Sequence, residues 1–153
     1  MLVFVPFTRL CALTHKALPH ACFVPLIDKE YGYGRYFQER WAQRKTFINV
    51  EHDIVPTMEV LESMWECNAP LCISGYHYPE QEGRVDIAYL GCAKISKELI
   101  EANPNGFLEL KHWTQCDGEI WKMTGETYCQ HGSVLHLHVD SHWTPEAIAR
   151  FGR

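Results

Sequence analysis

The chemistry-bearing residues concentrate where apolar runs stop. Thr46-Phe-Ile-Asn-Val50 is apolar apart from its first and fourth members, and Glu51-His52-Asp53 follows it directly. Along extended backbone, residues i and i+2 point the same way, so Glu51 and Asp53 could converge on one point. Two carboxylates at that spacing suit a hard divalent cation, Mg²⁺ or Mn²⁺, which also accepts diphosphate oxygens. A solvated strand end with a helix-capping Asp before Pro56 accounts for the same residues. His136-x-His138 is a second candidate. Alternation from Val134 to Val139 puts both imidazoles opposite a face of Leu135, Leu137 and Val139. Imidazole ligates transition-type divalent ions, and a half-exposed strand carrying two histidines is the plainer alternative. Asp117 is the third. It ends Thr114-Gln-Cys-Asp117, which has the pattern of a capping box, and it could also serve as a general base.

Weaker candidates follow other runs. Thr8 and Arg9 come after the first strand and could meet a phosphate or a nucleobase, while Asp28 closes the second and could contact a base or ribose. Gly91, Cys92 and Lys94 form a small-residue turn that a sugar could approach closely. Trp113 and Tyr89 could stack on a sugar face. No phosphate-cradling G-x-x-x-x-G-K-[ST], no G-x-G-x-x-G and no G-x-S-x-G occurs.

Strands and helices must hold these groups in place. Leu2–Phe7 and Cys22–Ile27 read as strands, and 46–50 as a central, parallel one. Tyr33, Tyr36, Phe37 and Trp41 form the stripe of an amphipathic helix, and Val60, Leu61, Met64 and Trp65 form another. Leu71–Ser74 and Val85–Leu90 are strand-like, with a polar loop over Tyr76–Arg84. Ser96 is placed as the N-cap of a helix over Lys97–Glu101. A helix through Ile120 and Met123 ends or weakens at Gly125, and Pro145 onward could form a last short helix. This alternation predicts a single α/β domain over 1–153, a three-layer α/β/α sandwich around a mostly parallel sheet. Open sheets of that kind bind ligands at the carboxyl ends of their strands.

Composition narrows the function classes. The chain has 153 residues, 46% hydrophobic and 22% charged, ordinary for a globular domain. A net charge of −5 argues against a chain that lives on nucleic-acid backbones. No apolar run reaches the roughly 20 residues of a spanning helix, and Leu2–Phe7 reads as the strand that begins the fold rather than a signal peptide. Seven cysteines, an odd number with no C-x-x-C pair, argue against a disulfide framework or a zinc knuckle. Reduced thiols and a cytoplasmic location are expected.

Taken in order, these segments resemble a compact glycosyltransferase of the GT-A fold, of the family-2-like group. The match runs through Val3-Phe-Val-Pro6-Phe-Thr-Arg9, Asp28 and Gln43-Arg-Lys-Thr-Phe-Ile-Asn-Val-Glu51-His-Asp53, the last in the place of the D-x-D motif. It continues through Tyr89-Leu-Gly91-Cys-Ala-Lys94-Ile-Ser96 and Cys116-Asp117-Gly118 to His136 or His138, covering roughly residues 2–138. The chain is short for this group. It departs from the pattern at Glu51, and Cys116-Asp117 leaves one carboxylate where the group usually has two.

The resemblance implies a UDP- or GDP-sugar donor bound along Pro6, Thr8 and Arg9, with Asp28 at the base. Glu51, His52 and Asp53 would lie at the diphosphate, and Gly91 and Lys94 at the sugar. It implies Mn²⁺ or Mg²⁺ on Glu51, Asp53, His136 and His138, and Asp117 as the base of an inverting transfer to an acceptor hydroxyl. A short domain with a reduced acceptor side could pair with a second copy. A metal-dependent hydrolase or nuclease, and a catalytically silent nucleotide-binding domain, are the alternative functions.

Overall fold

The computed structural model describes residues 1–9, 11–28, 30–78, 81–87, 90–125 and 127–137. The chain runs β1 (Val3–Phe7), α1 (Ala12–Ala17), β2 (Cys22–Pro25), α2 (Gly32–Ala42), β3 (Phe47–Val50), β4 (Ile54–Val55) and α3 (Met58–Glu66). It continues with β5 (Leu71–Tyr78), β6 (Gln81–Ile87), β7 (Cys92–Ile95), α4 (Lys97–Ala102), α5 (Trp113–Thr124) and β8 (Cys129–His136). His138, Tyr89 and the expected helix from Pro145 lie outside the described residues. Among the described residues, no helix is long and apolar enough to cross a membrane.

One sheet has the order β2-β1-β3-β7-β5-β8-β4, with β6 pairing on β5. β1 is parallel to β2 and β3, and β5 is parallel to β8. β7 runs antiparallel to both its neighbours, and β4 and β6 are antiparallel to theirs. The sheet is therefore mixed, and the expected mostly parallel sheet is corrected. A parallel neighbour needs a crossover of a dozen or more residues, whereas only positions 79–80 separate β5 from its neighbour β6, which therefore runs antiparallel to it. β6 and β7 follow the same edge of β5 in one direction, Ile87 opposite Gly75 and Ala93 opposite Ile73. Between them the chain leaves the ladder, and that excursion carries Leu90 and Gly91. The expected polar loop over Tyr76–Arg84 is strand for most of its length. Tyr76 faces the core and His77 solvent, the alternation of a half-covered β-surface.

That alternation divides the core. Phe4, Phe47, Leu71, Ile73, Ala93 and Ile95 face Tyr36, Phe37 and Trp41 of α2, Leu99 and Ile100 of α4, and Cys116 and Ile120 of α5. Val5, Ile48, Val50, Cys72, Cys92 and Val134 face Leu61 and Met64 of α3. Burying a side chain of this size contributes about 1.5–3 kcal/mol, so each face is held by several such terms. Local caps set the helix starts. Thr57 Oγ1 accepts from Val60 N–H at 3.3 Å, and Ser96 Oγ from Leu99 N–H at 3.1 Å.

α5 starts earlier than Thr114-Gln-Cys-Asp117 predicts. Its N-cap is His112, in extended backbone, whose Nδ1 accepts from Thr114 N–H, while Gln115 Oε1 accepts from His112 N–H. Asp117 thus falls in the second turn, and its carboxylate is free of capping duty. Gly125 ends the helix in the left-handed region, at φ 59°.

β8 contains an irregularity that the period-two pattern does not show. Ile73 pairs with Gln130 but Gly75 with Ser133, so β8 holds one extra residue against β5 at His131-Gly132. Gly132 takes φ 48° there, and a Cβ on it would stand 3.0 Å from Val60 Cγ2. The bulge switches strand parity: Cys129 packs on the same face of the sheet as Val134. Gly132→Ala is expected to destabilise the protein by about 1–2 kcal/mol, the cost of a side chain in left-handed backbone, measured as a lower denaturant midpoint at unchanged slope.

Candidate active site

β1, β2 and β3 end side by side, and a cleft of about 250 Å³ opens at their carboxyl ends. Thr8 follows β1, Leu26 follows β2, and Glu51, His52 and Asp53 follow β3; Leu90, Trp113, Cys116 and Asp117 close the other side. The strand Phe47–Val50 is buried throughout and the chain meets the cleft at Glu51, the position the apolar pattern predicts.

Three potential ligand atoms converge here. One each from Glu51, Asp53 and His136 lie within 4.8 Å of one another. The convergence has a backbone cause. Ile54 pairs with His136 across β4 and β8, and the Asp53 carbonyl accepts from Leu137 N–H at 3.0 Å. The turn after β3 is thereby stitched to the end of β8. His136 Nε2 stands 3.3 Å from Asp53 Oδ2, and its ring stacks on Tyr76 at 4.7 Å between centroids. Glu51 N–H donates to the Gly91 carbonyl at 2.7 Å. Gly91 admits no side chain: a Cβ would fall 1.4 Å from Tyr76 Oη and 2.8 Å from Glu51 Oε2.

The cleft holds more negative charge than it neutralises. Burial, then the charges of Asp53 and Asp117, push the Glu51 carboxyl up to about 7, against the opposing pull of His136 and a hydrogen bond with Tyr33. Burial also raises Asp117, outweighing the 3.1 Å hydrogen bond that its Oδ1 accepts from Leu90 N–H. Asp53 differs. Burial pushes it up, but the hydrogen bond and charge of His136 outweigh that and leave it below its ordinary value.

The other expected residues divide. Pro6 is buried inside β1 opposite Val24, past the two residues that pair with β3, and is not in a loop. Arg9 is exposed beyond Thr8 and is not among the described lining residues. Asp28 works as a helix-start residue. Its Oδ1 accepts from Tyr31 and Gly32 N–H at 2.6 and 3.0 Å, and its Oδ2 pairs with Arg35. Those backbone bonds and the guanidinium hold it below the usual carboxylate range.

Lys94 is not brought to the cleft. It is buried in β7, opposite Cys72, with its ammonium donating to the Cys67 carbonyl. The small-residue turn contributes Gly91 there and not its lysine, because strand alternation sends Lys94 toward α3.

Sequence reasoning missed Tyr33 and Tyr76. Tyr33 sits in the apolar stripe of α2, and its hydroxyl accepts from Asn49 Nδ2 at 3.1 Å; that amide also reaches the Leu90 carbonyl at 2.5 Å. Nothing in a helical stripe separates a core tyrosine from one that lines a cleft. Trp113, half-exposed, is the one expected stacking residue that lies in the described cleft.

No family model and no curated protein sequence matches the chain. Among solved structures it aligns with a glycosyltransferase involved in the glycosylation of the major capsid of PBCV-1, over 100% of both chains, with a TM-score of 0.52 and 10% sequence identity. The chain has a glycosyltransferase-like fold. A197 from STIV also aligns, over 65% of this chain and 66% of that one, at TM-score 0.48 and 15% identity.

Within this glycosyltransferase-like fold the Glu51 carboxyl sets a pH dependence. Its folded value, about 7, lies above the ordinary 4.5, so the folded state keeps the proton longer than the unfolded chain. Stability therefore falls as pH rises from about 4.5 to about 7 and is level above. In chelator-treated protein, Glu51→Gln is expected to raise stability at pH 8 by about 1–3 kcal/mol. The gain should shrink toward zero by pH 5. Denaturant melts at the two pH values check this, and an equal effect at both would remove Glu51 as the source.

Proposed function

We propose that this chain is a glycosyltransferase that moves a sugar from a nucleotide-diphosphate sugar to an acceptor hydroxyl, inverting the anomeric centre, with Asp117 as general base. The observation that carries this reading is the convergence of Glu51, Asp53 and His136 in the cleft that Asp117 lines from the opposite side. The full-length structural likeness to a glycosyltransferase supports the donor class.

The residues fit a divalent cation. Two carboxylates and an imidazole form a donor set suited to Mn²⁺ or Mg²⁺, and the raised Glu51 carboxyl marks a charge that its described neighbours only partly offset. A bound cation would supply charge neutralisation for the departing diphosphate. His138, the second expected imidazole, lies outside the described residues.

The chain's own groups divide the remaining work. Asp53 is held ionised by His136, so it remains a ligand at neutral pH. Thr8 and His52 offer hydrogen bonds to the donor from the ends of β1 and β3. Leu26, Leu90 and Trp113 offer apolar walls to a ring face. Asp117, with its pKa raised by burial, takes the acceptor proton as the hydroxyl attacks. Its Oδ1 is fixed by the Leu90 N–H, which leaves Oδ2 for the acceptor. No specific observation favours a hydrolase or a silent domain over this reading.

A panel of UDP- and GDP-sugars with Mn²⁺ tests it. The matching donor, at a hundred times its dissociation constant, should stabilise the fold by about 2.7 kcal/mol, or roughly 5–10 °C in Tm. Asp53→Ala should abolish the metal-dependent part of that shift. Asp117→Asn should leave the shift intact and lower kcat by about 10²–10⁴-fold. No shift with any donor sinks the proposal; full transfer by Asp117→Asn returns Asp117 to a structural role.

A further inference from the structure

The buried face of the sheet carries a second cluster, at the opposite end of β8 from His136. Cys67, just past the C-terminus of α3, meets Cys129 and His131 of β8, and one potential ligand atom from each lies within 4.8 Å of the others. We propose that these three side chains form a thiolate–imidazole site for Zn²⁺ or a similar soft divalent ion, separate from the carboxylate cleft.

Several independent features support it. Cys129 and His131 are i and i+2 on one strand, so both point to the α3 side before the bulge at Gly132 breaks the alternation. His131 Nδ1 is engaged with Ser63 Oγ of α3 at 2.7 Å. That bond fixes the ring and leaves Nε2, which is buried and has no hydrogen-bond partner. A buried ring nitrogen without a partner is costly unless something accepts its lone pair. Behind a metal-bound histidine the other ring N–H is usually held by a carboxylate, a backbone carbonyl or water, and Ser63 Oγ holds Nδ1 in that position here.

Ala69 N–H donates to Cys67 Sγ at 3.4 Å, which favours the thiolate. The Lys94 ammonium bonds the Cys67 carbonyl and places positive charge beside the sulfurs. All seven cysteines are free thiols, so both sulfurs are available. Two thiolates neutralise a divalent ion, and binding releases their two protons to solvent. Three protein ligands leave a fourth position for water. The two sites are spatially separate: a strand rises about 3.3 Å per residue, so Cys129 and His136 stand roughly 20 Å apart along β8.

Co²⁺ titration of the reduced, metal-stripped full chain tests this, because thiolate-to-cobalt charge transfer reports sulfur ligation alone and is blind to the carboxylate cleft. One equivalent of Co²⁺ should produce the band, and Zn²⁺ should remove it. Cys129→Ser should abolish it, and His131→Gln should weaken Co²⁺ binding at least tenfold. Ser63→Ala, which removes only the hydroxyl behind the ring, should weaken it by about ten- to a hundredfold. Asp53→Ala should leave the band unchanged. Where Cys129→Ser loses its native circular dichroism, His131→Gln, on a half-exposed side chain, carries the decision. No thiolate band at stoichiometric Co²⁺, a band indifferent to His131→Gln, a band lost in Asp53→Ala, or a Cys67–Cys129 disulfide that forms in the presence of Zn²⁺ would each overturn the proposal.

Discussion

Three carboxylates around one half-buried cleft repel one another, and much of the surrounding structure answers to that repulsion. Glu51 bears most of it, with burial and the charges of Asp53 and Asp117 all opposing its ionisation. Among the described residues, His136 pulls the other way on both Glu51 and Asp53, with Tyr33 helping at Glu51 and His52 at Asp53; Asp53 stays ionised while Glu51 is only partly compensated. Such a group is poorly suited to holding a fold together. Its presence where the parallel strands end fits a site that gains its missing charge from outside the chain, as a cation or a cationic ligand does.

The fold that maintains this arrangement is built from breaks in regular structure. The strand that returns along β5 leaves the ladder between β6 and β7, and the excursion brings two backbone groups to the carboxylates. Leu90 N–H reaches Asp117, and the Gly91 carbonyl receives Glu51 N–H. Gly91 has no room for a side chain because Tyr76 Oη occupies that space, and the Tyr76 ring in turn supports His136. On the other edge, the bulge at Gly132 resets the parity of β8 so that Val134 and His136 face the same side as Cys129. Without it, His136 would point away from Asp53.

Much of the cleft was legible because it depends on features that a linear pattern carries. An apolar run ending in Glu51-His-Asp53 marks a strand leaving the core; the two carboxylates do converge, but across a turn at 52–53 rather than along the extended backbone that the i, i+2 rule assumes. His136 sits on a run whose alternation is visible in the letters alone. The parts that misled depend on pairing partners or on irregularity. Thr114-Gln-Cys-Asp117 matches a capping box, but His112 takes that role two residues earlier because its backbone is the extended one. Lys94 is three residues from Gly91, yet alternation and the pull of the Cys67 carbonyl carry its side chain to the α3 face of the sheet. The mixed sheet followed from a short connection whose strand partners no local pattern names. The cysteines lacked close spacing in sequence, and only the parallel pairing of β5 with β8 brings Cys129 beside the segment after α3.

β8 thus links two chemically different ends. At its C-terminal end it meets β4, a strand of only two residues, and the turn that presents Asp53. At its N-terminal end it meets α3 through Ser63, His131 and Cys67. The outer pairing is short, so little of the sheet ladder fixes the height of β8 against the β3–β4 turn. The parallel ladder with β5 and whatever fastens the Cys129 end must do so. A displacement of β8 along its axis by one residue, about 3.3 Å, would exceed the hydrogen-bonding tolerance between His136 and Asp53. The thiol and imidazole cluster is therefore well placed to fix the position of the imidazole at the far end of the strand. It would do so through the rigidity of paired backbone rather than through any contact between the two sites.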